Sequence, residues 1–239
     1  MYYNIGIKSN NKSQKIHLND YSHLYVSGVS NIKTKLLQSI VHQLMLNESP
    51  QNVKFILVDT LDTTFKFIQL GNYECLPHLE NKNKVFQIVD FIHSENKRRY
   101  NLIQLYGYHT FDDYNNFAQT NQLEILPRII LIIDNYDSLK QNYLMDYILA
   151  NTVKTSFDVG IHVILSTNHI NERVFNLRLQ DAFRNRLAFK MDNDFETRVF
   201  ARTDDIEHLN EDNAILTTQH YNTMLNIEKY LENISKDDE

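Results

Sequence analysis

The sequence predicts an α/β domain: a mostly parallel sheet with helices on both faces and a β-hairpin ahead of it. Three observations predict it. Short runs that are apolar almost throughout, such as Val53–Asp59 (VKFILVD) and Arg128–Asp134 (RIILIID), read as strands buried on both faces. Stretches with apolar residues at helical spacing separate those runs, as in parallel sheets with crossover helices. The glycine, lysine and acidic residues suited to chemistry fall just after the strands, at the sheet end where such folds bind ligands.

Taken in order, residues 3–20 place Ile5 and Ile7, then a polar Ser-Asn-Asn-Lys-Ser turn, then Ile16 and Leu18, which is the pattern of a hairpin. His23-Leu24-Tyr25-Val26 reads as the first strand of the main sheet. The helix after it carries Leu36, Leu37, Ile40, Val41, Leu44 and Met45 on one stripe and ends near residues 47–50. Residues 84–104 form a helix with Val85, Ile88, Val89 and Ile92 inward, and 110–121 a short polar helix with loops. Further helices are expected over 141–157, 172–183 and 194–202, and further strands over 160–167, 185–191 and Asn213–Thr217. Residues 221–230 fit either strand or helix, and 235–239 read as a disordered charged tail after one domain over 1–234.

Composition narrows the class. With 239 residues, 42% hydrophobic and 23% charged, the chain can bury a sizeable core. A net charge of −6 argues against a nucleic-acid backbone as partner. One cysteine, Cys75, excludes an internal disulfide or a multi-cysteine metal site and suits a reducing, cytosolic setting. No apolar run reaches the length of a membrane span, and the ten histidines show no metal-ligand spacing.

The stretch around which the chemistry gathers is residues 22–43. Strand, tight turn at Gly28, then Lys33-Thr34 opening a helix, is the layout of a phosphate-binding loop, with unpaired helix N–H groups facing an anion. It departs from that motif twice. Ile32 stands where glycine should precede the lysine, and Gly28 lies four residues before Ile32, so the turn is one residue short. A β-branched residue resists the positive φ a glycine tolerates, and the shorter loop loses a donor. Together these faults predict the loss of tight nucleotide binding. Later strand ends supply Asp134-Asn135 and Asn168. Asp134 reads as an acid able to orient a magnesium-bound water or as a strand-end cap, and Asn168 as a strand-end polar residue or an ordinary turn residue.

His23-Leu24-Tyr25-Val26-Ser27-Gly28, Leu76-Pro77-His78-Leu79, Glu95 with Arg98-Arg99-Tyr100, Ile132-Ile133-Asp134-Asn135-Tyr136-Asp137 and the stretch 160–167 occur in the order seen in FtsK/SpoIIIE-type ATPase domains. Asn185-Arg186-Leu187-Ala188-Phe189 matches their next strand. Within that family the chain most resembles the C-terminal, third ATPase domain of the type VII secretion coupling ATPases EssC and EccC. The resemblance covers nearly the whole chain and lies in the order and spacing of the stretches.

The resemblance implies a RecA-like P-loop core, ATP with magnesium where the site is active, and coupling of ATPase action to secretion of helical-hairpin substrates with a WxG motif and their relatives. It implies a piece of a larger membrane-anchored protein on the cytoplasmic side, with neighbouring ATPase domains in the same chain and a possible ring. It places Gly28, Lys33, Thr34, Asp134 and Asn168 at the nucleotide. Active members carry a second carboxylate where this chain has Asn135, an amide that cannot take the proton of an attacking water; Asp137 is a distant substitute. Arg186 matches a basic position facing a neighbour's nucleotide, or else is a strand-edge arginine; Arg98-Arg99 read as a solvent-facing helix end. The reading is a degenerate domain with little or no ATPase activity serving recognition. The rivals are an active motor of the same fold and, behind it, a DNA translocase.

Overall fold

In order along the chain stand β1 (Tyr2–Ile7), β2 (Ser13–His17), β3 (Leu24–Ser27), α1 (Asn31–Asn47), β4 (Val53–Asp59), α2 (Val85–Leu105), α3 (Phe111–Thr120) and β5 (Arg128–Asp134). There follow α4 (Tyr143–Ser156), β6 (Ile161–Thr167), α5 (Leu177–Ala182), β7 (Asn185–Ala188), α6 (Asp194–Ala201), β8 (Asn213–Thr217), β9 (Asn222–Asn226) and α7 (Ile227–Asp237). These come from a computed structural model, which describes residues 1–76, 85–139, 142–171 and 174–237, with 235–237 as backbone alone. The expected Pro77-His78-Leu79 stretch and the expected helix start at Lys84 lie outside the described residues.

The strands form one sheet in the order β2–β1–β9–β8–β7–β3–β6–β5–β4. From β7 to β4 every pairing is parallel. From β7 outward through β8, β9, β1 and β2 every pairing is antiparallel, so the hairpin expected at the start closes the far edge of the same sheet. Residues 221–230 are both alternatives in succession, β9 and then the first turn of α7. The helix continues through Asp237, where a disordered tail was expected. Only Leu177–Ala182 of the helix expected over 172–183 is helical, and residues 172–173 lie outside the described residues.

Alternation along the central strands divides two cores. In β5, Ile129, Leu131 and Ile133 belong to the core formed with α2, α3 and α4, while Ile130 and Ile132 belong to the core on the other face with α1 and β1. Both faces of the strand are thus covered, which is why it reads as an unbroken apolar run. The α1 stripe Leu36, Leu37, Ile40, Val41 and Leu44 is fully buried on the second face. Each such side chain contributes on the order of 1.5–3 kcal/mol by leaving water.

A polar layer supports the end of the sheet opposite the loops. His23 Nδ1 accepts the Val163 N–H at 3.0 Å. His162 bonds Ser22 through Nδ1, and its Nε2 lies 3.3 Å from Arg128 Nη1. Since the guanidinium can only donate, that nitrogen accepts and Nδ1–H donates to Ser22. Arg128 also donates to Asp112 at 2.6 Å and to the Leu18 carbonyl at 2.8 Å. Arg99 is buried as well, ion-paired to Glu95 at 2.7 Å and donating to the carbonyls of Pro127 and Val159. This corrects the solvent-facing reading for Arg99, since α2 packs against the turn before β6; Arg98 remains exposed, shared by Glu95 and Glu124.

Candidate functional site

At the carboxyl ends of β3, β5 and β6 lies a cavity of about 490 Å³ lined by the start of α1, Asn135 and Asn168. The chain turns into α1 through Gly28, whose φ of +124° and close approach to Phe189 leave no room for a side chain. A Cβ there would sit 2.7 Å from Phe189 Cβ. The Gly28 N–H donates to the Thr167 carbonyl at 3.2 Å. The glycine therefore serves strand-to-strand packing.

The helix begins at Asn31, earlier than Lys33. Ser30 is its N-cap, and the Ser30 hydroxyl accepts the Ile32 N–H at 3.1 Å. Ile32 consequently sits inside the first helical turn, outside the positive-φ set. The strain expected at Ile32 is absent because the shortened turn starts the helix before that residue. One N–H that a phosphate would use is instead held by the chain's own hydroxyl.

Lys33 is only 2% exposed. Its ammonium donates to Asn168 Oδ1 at 2.6 Å and to the Thr167 carbonyl at 3.1 Å. Burial pushes its pKa down, while Asp134 and Asp137 act in the opposite direction. Thr34 is half-buried and lines the cavity.

Asp134 ends β5 and is 1% exposed. One oxygen, Oδ2, accepts from the Thr64 hydroxyl and from the Asn135 amide, the latter at 3.3 Å. The other, Oδ1, has no hydrogen-bond partner among the described residues. Asn135 is buried with φ at +58°, a left-handed position that asparagine accepts more readily than most residues. Asp137 accepts the backbone N–H groups of Asn168 and His169 at 3.2 and 3.3 Å. It fixes the loop that holds Asn168. Asp59, at the end of β4, accepts from Leu61, Thr64 and Phe65 N–H and so shapes the loop that delivers Thr64.

Gly28, Lys33, Thr34, Asp134, Asn135 and Asn168 are thus gathered at one end of the sheet. Arg186 is not. It is 1% exposed, donates to the carbonyls of Phe200 and Gln180, and lies 4.8 Å from the Phe175 ring centroid. A guanidinium enclosed by α5 and α6 is not presented to a neighbouring subunit, and burial lowers its pKa to about 9.

Three carboxylates missing from the sequence reading also line the cavity: Glu211, Asp212 and Glu228. They come from the loop before β8 and from the first turn of α7, brought together when the Ile227 and Glu228 N–H groups bond to the Asp212 carbonyl. The Asp212 carboxylate, hydrogen-bonded to Glu228, raises the Glu228 pKa. Among the described residues, no group of three or more His, Cys, Asp or Glu is placed to hold a metal ion.

The model of the FtsK/SpoIIIE family matches residues 5–204. The DNA translocase FtsK of Staphylococcus epidermidis is 26% identical over 197 residues, covering 77% of this chain and 24% of the translocase. The chain therefore spans about a quarter of that curated relative's length. The cytoplasmic domain of the Thermomonospora curvata type VII secretion ATPase EccC superposes with a TM-score of 0.79 at 17% identity, over 94% of this chain and 28% of that one. EssC ATPases 2 and 3 from Geobacillus thermodenitrificans give 0.75 at 12% identity, over 99% and 49%. EccC ATPases 2 and 3 of Thermomonospora curvata, in complex with a signal sequence peptide, give 0.68 at 18%, over 94% and 44%. At these identities the structures show a shared α/β P-loop ATPase fold.

Proposed function

The chain belongs to the FtsK/SpoIIIE family, and from that premise we propose that it is an ATPase-like recognition domain of a type VII secretion coupling protein, with a degenerate nucleotide site that no longer binds ATP tightly. The observation carrying this is the charge of the cavity: among its described lining residues the one basic side chain, Lys33, is outnumbered by Glu211, Asp212 and Glu228. A triphosphate brings several negative charges, and a phosphate loop works by supplying donors and positive charge to meet them. Here the Lys33 ammonium is engaged by Thr167 and Asn168, and the Ile32 N–H by Ser30. The donor set does not fit magnesium–ATP, and no catalytic step is assigned to it.

The recognition half of the proposal draws on the signal peptide bound by the EccC neighbour. It also draws on Tyr143, Leu144, Tyr147 and Leu177, which expose an apolar stripe on α4 and α5 suited to an amphipathic helix such as those of WxG-type substrates. The parent protein would be membrane-anchored with this domain on the cytoplasmic side, beside sister ATPase domains in one chain or in a ring. No described helix of the chain itself is long and apolar enough to cross a membrane.

The second reading is an active motor, as the curated translocases are named; the free Asp134 Oδ1 favours it, since that oxygen could orient a magnesium-bound water. Isothermal titration with ATP and magnesium separates the two. We expect no heat of binding into the millimolar range. Micromolar binding that Lys33→Ala removes would overturn the recognition reading in favour of the motor.

A further inference from the structure

Apart from the loop cavity, a second one of about 580 Å³ carries the opposite charge. Lys8, Lys15 and Arg184 line it, with His17 and His220, against the single acid Asp20. This is a local reversal in a protein of net charge −6. Each of the three cations lies over an aromatic ring: Lys8 is 5.8 Å from the Tyr221 centroid, Lys15 3.9 Å from Tyr2 and Arg184 4.8 Å from Tyr21. A ring face orients a cationic head without cancelling its charge. Among the described residues none of the three takes part in an ion pair.

We propose that this cavity binds a short, extended, acidic peptide segment of a partner protein, laid along β2 with its carboxylates on Lys8, Lys15 and Arg184. All of β2, Ser13 to His17, lines the cavity, and β2 is the outermost strand of the sheet. An outer strand offers free backbone groups to an extended segment, and flanking side chains set the choice of segment. Lysines on such an edge also deter pairing with like strands. An edge defence does not need Arg184, which arrives from the far side of the antiparallel block just before β7. Convergence of cations from three separate segments on one cavity is what a carboxylate-rich ligand requires.

A single nucleic-acid strand fits less well. Base stacking uses open aromatic faces, and here one face each of Tyr2, Tyr21 and Tyr221 is covered by a cation. The inference is independent of whether the loop cavity holds ATP, so its failure and that of the nucleotide reading are separate results.

The test is fluorescence anisotropy at low salt with three labelled probes: octaglutamate, octalysine and an eight-residue thymidine oligonucleotide. Octaglutamate is expected to bind and the other two are not. The charge-reversed variant K8E/K15E/R184E should weaken binding by about tenfold or more, while K97E, a reversal on α2, leaves it unchanged. If the reversed variant fails to give a native circular dichroism spectrum and melt, K8Q/K15Q/R184Q replaces it, with a smaller loss expected. Absence of octaglutamate binding, equal loss in K97E, or binding of the oligonucleotide as tight as that of octaglutamate overturns the proposal.

Discussion

Lys33 has the residue type, the helix position and the neighbour Thr34 of a phosphate-binding lysine, yet its surroundings lead it elsewhere. Its ammonium is held between Asn168 and the Thr167 carbonyl, and Asp137 holds the loop that presents Asn168. Glu211, Asp212 and Glu228, all exposed, line the same cavity. Neutralising them isolates the electrostatic part of the defect from the loop's shape. In the variant E211Q/D212N/E228Q, ATP–magnesium binding should become measurable at low salt, where the parent gives none into the millimolar range, and should weaken at about 0.5 M salt, where exposed charges are screened. Titration calorimetry at both salts checks this. A variant as inert as the parent at low salt would place the defect in the shortened turn and in the engaged Lys33 ammonium instead. The lysine and threonine were legible in the sequence because the motif sets them side by side at a helix start, and Asp134 because it closes an unbroken aliphatic strand. The three carboxylates were not, since the pairing of β8 with β9 and the turn into α7 bring them to the cavity from far along the chain.

At the scale of elements, the start of α1 shows how one deleted residue changes a loop. A full phosphate loop leaves its N–H groups pointing inward at an anion; here the helix starts at Asn31 and Ser30 caps it. Ser30→Ala should therefore cost about 1 kcal/mol of stability, the usual loss for a serine cap. Urea unfolding at neutral pH measures it. An unchanged midpoint would mean that Ser30 contributes nothing to the helix start and that the Ile32 N–H is satisfied by solvent. The apolar stripe of α1 and the unbroken runs of β4 and β5 were readable because burial dictates their period. Ile32 was misjudged because its conformation depends on where the helix begins, and Arg99 and Arg186 because burial of a guanidinium depends on carbonyls offered by distant segments. The antiparallel half of the sheet was hidden for the same reason: a hairpin's pattern reveals a hairpin, not the strand it will join.

For the molecule as a whole, the two ends of the sheet differ in chemistry. The loop end holds the carboxylate-lined cavity, and the opposite end is braced by the buried side chains of His23, His162, Arg128 and Arg99. Burial lowers the His23 pKa to about 3, with Arg184 acting the same way. Burial places His162 well below 6.5 too, reinforced by His23, Arg128 and Arg99. Both imidazoles are therefore neutral in the folded protein, while in the unfolded chain they protonate near pH 6.5. Above that pH the two states bind the same protons at these sites and stability is full. As the pH falls below 6.5 the unfolded chain gains protons that the folded one refuses, so stability declines down to about pH 3, by up to about 1.4 kcal/mol per pH unit for each histidine. Arg98 and Arg99 hold the Glu95 carboxyl below its usual range against the opposing effect of burial, and its loss on acidification belongs below about pH 4.5. The window from pH 7.5 to 5 thus lies above the Glu95 range and spans the pH at which the two imidazoles protonate in the unfolded chain. Urea midpoints across it should fall steadily for the parent, and H23Q/H162Q, though less stable at pH 7.5, should show a flatter profile. A parent midpoint constant from pH 7.5 to 5, or an equal slope in the variant, would mean that the layer opens to water and accepts protons without unfolding.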